Sequence, residues 1–170
     1  MLRKRIYIAI GVGSALIVCI VVAMSDFGAW GLPDGADAGG RLALAARWLL
    51  IPALCLLAGV GGTANRRFLN AQVIDGGGAA AGSPFDINLR YNLNTLEQTV
   101  LAAIAWMGLA LALPAEELSL IPRLAILFGI GRVAFWFGYL YAPWARAFGF
   151  GLTAYPTFAS LAWLAWTAVT

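Results

Sequence analysis

Five long apolar runs joined by charged connections decide most of what this chain can be. They are Ile6–Met24, Leu42–Ala64, Tyr91–Leu113, Ile121–Tyr141 and Arg146–Ala168. A helix needs about 20 apolar residues to cross the hydrocarbon core of a bilayer. Only 11% of the 170 residues are charged, against about 25% in soluble domains, and mean hydropathy is +0.83. Backbone groups in lipid must find partners inside the protein, which selects helices. The expected fold is all-α, an integral membrane helical bundle. Residues 1–41 are expected to form an N-terminal transmembrane anchor and an outer loop, and 42–170 a four-helix membrane domain.

The first run follows Arg3-Lys4-Arg5, as in a signal peptide. Its apolar run exceeds the usual signal core of about 7–15 residues, and no small-x-small cleavage site follows Met24. It is therefore read as a retained anchor.

Charge alternates from one connection to the next. Arg3, Lys4 and Arg5 precede the first run, and Asp26, Asp34 and Asp37 follow it. Arg66, Arg67 and Arg90 flank the second loop, Glu116 and Glu117 the third, and Arg146 the fourth. Basic connections stay on the cytoplasmic side. The N-terminus, the second loop and the Arg146 turn are thus expected in the cytoplasm, and the C-terminus outside. A bacterial inner membrane is the expected location. Histidine is absent, which removes histidine metal sites and acid–base chemistry. The basic residues form no nucleic-acid-binding patch. Cys19 and Cys55 sit in apolar runs and read as buried thiols.

Pro114 closes the third run, and Pro122 opens the fourth at a position where its missing N–H costs little. Pro52 and Pro156 fall inside runs and are expected to kink them. The stretch Gly76–Pro84 reads as a flexible connection without chemistry of its own. Trp30, Tyr141 and Trp144 read as interfacial aromatics.

Polar residues at the basic border need a separate reason. Arg90, Asn94 and Glu97 lie at offsets of four and three, which places them on one helical face. Such groups at a membrane border are costly unless they meet a partner or a wet cavity. A helix-surface ion pair is the plain alternative. Asn92 lies off the stripe and is expected to be solvated. Arg132 lies mid-run, where it cannot reach the interface. A buried guanidinium wants a carboxylate; Glu97 is the expected partner, and a direct ligand contact by Arg132 is the equal alternative. Tyr139 and Arg146 follow Arg132 at steps of seven.

This order of residues, with Arg90, Asn94 and Glu97 opening one helix and Arg132, Tyr139 and Arg146 following, resembles the MAPEG family (membrane-associated proteins in eicosanoid and glutathione metabolism). The likeness runs from about Leu42 to the C-terminus. It implies a four-helix MAPEG-like core, here preceded by one extra transmembrane helix. It also implies a homotrimer that binds glutathione between subunits. By resemblance, Arg90, Asn94 and Glu97 hold glutathione's charged ends and amides, and Tyr139 adds a hydroxyl. Arg66 or Arg67 matches a basic residue ending the family's first helix, Arg67 being carried as the candidate. Arg146 matches the arginine that stabilises the glutathione thiolate. A cation beside a thiol lowers its pKa. The implied activity is a glutathione-dependent transferase or peroxidase, acting on lipophilic electrophiles or hydroperoxides that arrive from membrane lipid. The alternative is a non-catalytic MAPEG-like subunit. A transporter fits worst, because the intramembrane charge gathers near one face.

Overall fold

The computed structural model describes residues 1–25, 37–69, 73–74 and 78–170. Asp26, Trp30 and Asp34, and Gly76 with its neighbour Gly77, lie outside the described residues. The elements are α1 (Leu2–Met24), α2 (Ala38–Trp48), α3 (Leu50–Leu69), α4 (Pro84–Ala112), a 3-10 turn (Ala115–Glu117), α5 (Leu120–Tyr141) and α6 (Arg146–Thr167). Four helical stretches are long and apolar enough to cross a membrane: Leu2–Met24, Ala38–Leu69, Pro84–Ala112 and Ala115–Tyr141. The expected fifth, α6, is not among them, and Thr153, Tyr155, Pro156, Thr157 and Ser160 interrupt its apolar middle. The chain is an all-α protein with the character of an integral membrane protein.

Two expectations, one about the second run and one about the third, change in detail. It is broken at Leu49, which separates α2 from α3. The break falls three residues before Pro52, whose missing N–H cannot serve the carbonyl one turn back. The fourth helix starts at Pro84 instead of Tyr91. Ser83 accepts a hydrogen bond from the Asp86 N–H (3.1 Å), and Asp86 accepts one from the Gly82 N–H (2.9 Å). With Pro84 in the first turn, this is a reciprocal N-terminal cap. Gly82 takes φ +75°, a conformation that glycine adopts freely.

The helices run up and down, so the ends sort by charge. The start of α1, the end of α3, the starts of α4 and α6 and the end of α5 share one end, which carries Arg5, Arg66, Arg90 and Arg146. Asp37, Glu116 and Glu117 mark the other. At that acidic end two arginines cap carbonyls that helix termini leave open. Arg41 Nη1 donates to the Leu113 carbonyl (2.6 Å) at the close of α4. Arg123 Nη1 donates to the carbonyls of Ala23 (3.0 Å) and Ser25 (2.6 Å) at the close of α1.

The apolar core fills the acidic half, where Leu44, Ala45, Trp106, Leu109, Ile121 and Phe128 pack together. Trp106 meets Phe128 edge to face, with centroids 6.1 Å apart. Between α5 and α6 the backbones approach so closely that a Cβ at Gly149 would collide with the Phe135 nitrogen and the Gly131 oxygen. Small residues permit this approach between membrane helices. The basic half is more polar, and the candidate site lies there.

Candidate functional site

A cavity of about 440 Å³ opens at the basic end, lined by residues of four elements and one turn. Arg90 and Asn94 come from α4, Phe135 from α5, and Arg146 and Phe150 from α6. Ile8 and Val12 of α1 complete the apolar part of the lining. A neighbouring cavity of about 410 Å³ shares Arg90 and Pro143 and adds Asp86 and Tyr139.

Arg132 lies behind the first cavity and is completely buried. Its Nη1 donates to Asn94 Oδ1 (2.8 Å) and its Nη2 to Thr153 Oγ1 (2.6 Å). Thr153 passes its own proton to the Phe150 carbonyl (3.0 Å). The rings of Phe135 and Phe128 lie 4.7 and 5.6 Å from the guanidinium carbon, and such faces attract cations. The expected Arg132–Glu97 pair does not form. Asn94 takes Arg132's donor instead, and Glu97 projects from the exposed side of α4. The amide oxygen accepts one guanidinium hydrogen bond without the desolvation cost of a buried carboxylate; Arg132 Nε has no hydrogen-bond partner among the described residues.

The Arg132 bond has a consequence for the cavity. A guanidinium only donates, so Asn94 must turn its oxygen toward Arg132. Its Nδ2 is left for the cavity side. Arg90, Arg146 and Asn94 therefore offer donors there, two of them cationic. Arg146 lies with its guanidinium carbon 4.3 Å from the Tyr139 ring centroid. Arg90 pairs with Asp86 (3.0 Å), one turn back on its own helix. That is the only ion pair among the described residues. An ion pair with so exposed an arginine contributes little to stability.

Five of the seven candidates thus converge: Arg90, Asn94, Arg132, Tyr139 and Arg146. Glu97 and Arg67 do not. Glu97 follows Arg90 by seven residues, about 10 Å along the helix axis, and the lining of the cavity on α4 stops at Asn94. Arg67 is exposed, 5.8 Å from the Phe85 ring centroid on the α3 side of α4. Its neighbour Arg66 lines a separate cavity of about 930 Å³ with Asn65, Phe85 and Trp136.

Between α3 and α4 lies a polar cluster that the sequence pattern had not marked. Asn88 is fully buried and donates to the Gly59 carbonyl (2.8 Å) and to Thr63 Oγ1 (2.6 Å). Asn92, expected in solvent, is turned inward and donates to the same hydroxyl (2.7 Å). A Cβ at Gly59 would collide with Asn92 and the Tyr91 ring. The run Ser83-Pro84-Phe85-Asp86 was the available signal. A helix starting there places Asn88 and Asn92 in its second and third turns, where α3 can reach them. The apolar wall from α1 had no such signal, because Ile8 and Val12 match their lipid-facing neighbours in composition.

Tyr7 stacks on Trp144 with centroids 4.7 Å apart, and Tyr141 meets Trp144 edge to face. These aromatics gather at the basic end. Cys19 and Cys55 are both free thiols.

No family model matches the chain, and no solved structure matches it. A stretch of 78 residues is 32% identical to Transmembrane protein 79 of Mus musculus. That stretch covers 46% of this chain and 20% of the relative, so the chain corresponds to only about a fifth of that protein's length. The comparison joins the composition and the four candidate spans in describing a membrane protein.

Proposed function

We propose that the protein is a MAPEG-like, glutathione-dependent membrane transferase or peroxidase. In this reading α2 to α6 form the four-helix core, and α1 is an added helix. The observation that carries the reading is the convergence of Arg90, Asn94 and Arg146 on one cavity, with Arg132 holding Asn94 from behind. The donor set suits carboxylates, which accept charge-assisted hydrogen bonds from guanidinium groups. Glutathione, when bound, supplies a thiol that is a nucleophile in its thiolate form. Arg146 favours the thiolate by placing a positive charge at the cavity wall. Arg90 and the Asn94 amide hold carboxylates, and Tyr139 offers its hydroxyl in the adjoining cavity. The lipophilic electrophile or hydroperoxide enters from the bilayer.

A homotrimer accounts for Glu97. On α4 the positions Leu93, Glu97, Val100, Ile104, Met107 and Leu111 are all exposed. Their alternating steps of four and three form a heptad seam. In a trimer such a seam faces neighbouring copies, and Glu97 then has protein instead of lipid beside it. Arg67 on the exposed face of α3 serves a neighbour's site in the same way. The basic end lies in the cytoplasm of a bacterial inner membrane, following the charge bias of the loops.

Calorimetry of glutathione binding to the purified protein tests the reading, with Arg146→Ala and Glu97→Gln in parallel. Saturable binding, weakened by Glu97→Gln, supports it. Thiolate absorbance near neutral pH that disappears in Arg146→Ala supports the enzyme. No binding up to about 1 mM, equivalent to about −4 kcal/mol, removes glutathione from the account. The second reading, a non-catalytic MAPEG-like subunit, is favoured by Glu97 and Arg67 lying outside the cavity. It requires that Arg146→Ala alter neither binding nor thiolate absorbance.

A further inference from the structure

The cavity lining is of two kinds. Arg90, Asn94 and Arg146 are polar; Ile8, Val12, Phe135 and Phe150 are apolar. Ile8 and Val12 are four residues apart on α1, so both face the same way, one turn above the other.

α1 is held against α6 and α5 at several heights. Tyr7 stacks on Trp144 at the basic end. Ala15, with no exposed surface, meets Gly151. The Cys19 thiol reaches the Leu152 carbonyl (4.0 Å), which Pro156 leaves without its helical donor. Arg123 clasps the last carbonyls of α1 at the far end. A helix fixed along its length presents a rigid wall, and rigid walls discriminate by shape.

We propose that α1 is the specificity-determining wall of the site, with Ile8 and Val12 setting the girth of the lipophilic group accepted beside the arginines. The inference rests on the glutathione reading and deepens it. An apolar group attached to the glutathione sulfur lies along Ile8, Val12, Phe135 and Phe150. Each methylene buried there strengthens binding about fourfold, the equivalent of the usual transfer free energy.

The test uses S-methyl-, S-butyl- and S-hexylglutathione, titrated into the full chain in lipid nanodiscs, with empty nanodiscs as the reference. The wild type is expected to gain affinity with each added methylene. Val12→Trp, which fills the wall, is expected to abolish that gain. Ile8→Ala, which widens it, is expected to shift preference toward a branched or aromatic S-substituent. Ile10→Trp, on the exposed side of α1, is expected to change nothing. Retained S-methylglutathione binding shows that a variant is folded, and Ile8→Ala provides a second measurement if Val12→Trp is not. If S-methylglutathione binds but affinity is flat with chain length, the wall proposal is overturned alone. The same holds if Val12→Trp and Ile10→Trp behave alike. If S-methylglutathione does not bind the wild type, the glutathione reading fails and the wall proposal with it.

Discussion

Arg132 on α5 and Asn94 on α4 are joined by a 2.8 Å hydrogen bond that links the buried charge to the cavity wall. Because arginine has no acceptor, the bond sets which end of the Asn94 amide faces away from Arg132. Asn94→Asp tests this separation of roles. The carboxylate keeps an acceptor for Arg132 and adds attraction, so thermal stability is expected to hold or rise. The donor on the cavity side is lost and a negative charge takes its place. Glutathione affinity is expected to fall at least about tenfold, the equivalent of one charge-assisted hydrogen bond. Unchanged affinity at unchanged melting temperature would refute the assignment of Nδ2 to the cavity.

The close approach of α5 and α6 rests on Gly149. Gly149→Ala places a methyl against the Phe135 nitrogen and the Gly131 oxygen, both backbone atoms that cannot rotate away. Thermal unfolding in detergent is expected to show a loss of about 1–3 kcal/mol. A Cβ at Gly61 meets nothing within 4 Å, so Gly61→Ala is expected to be neutral or to stabilise by up to about 1 kcal/mol through helix propensity. Equal effects at the two sites would remove the packing argument.

Arg123 closes α1 onto α5. Arg123→Leu leaves the Ala23 and Ser25 carbonyls without this donor. The last turn of α1 is expected to exchange its amide protons faster, while α4, capped separately by Arg41, keeps its protection. Hydrogen exchange with mass spectrometry reads both peptides at once. Uniform protection in the variant would show that the clasp is dispensable.

Pro156 frees the Leu152 carbonyl, and the Cys19 thiol is placed to use it. Pro156→Ala supplies a competing N–H from within α6. The thiol then shares its acceptor with a stronger donor, and its S–H stretching band is expected to move to higher frequency. Infrared spectra of wild type and variant, with Cys19→Ala to assign the band, give the answer. A band that does not move denies the interaction.

Much of the helix content was legible because apolar length and helical period are local properties. The runs around α1, α5 and α6 matched their helices closely. The start of α4 was displaced because the Gly/Ala-rich stretch hid a strong cap at Ser83-Pro84-Phe85-Asp86. A four-residue signal is easily masked by flexible composition on one side. The inward turn of Asn92 was missed for a related reason. Once the helix starts at Pro84, α3 rather than solvent lies beside it.

By itself the sequence determined that the chain is helical and membrane-bound in character, that its ends differ in charge, and that Arg90, Asn94 and Arg146 lie near one end. These follow from period, hydropathy and connection charge, each read within a single segment. Only the tertiary structure decided that Arg132 takes Asn94 rather than Glu97, and that α1 lines the cavity. Those outcomes depend on the rotation and height of one helix against another. A shift of one residue turns an α-helix by about 100°, enough to exchange a buried partner for lipid, and the pattern within any single run does not specify that relation.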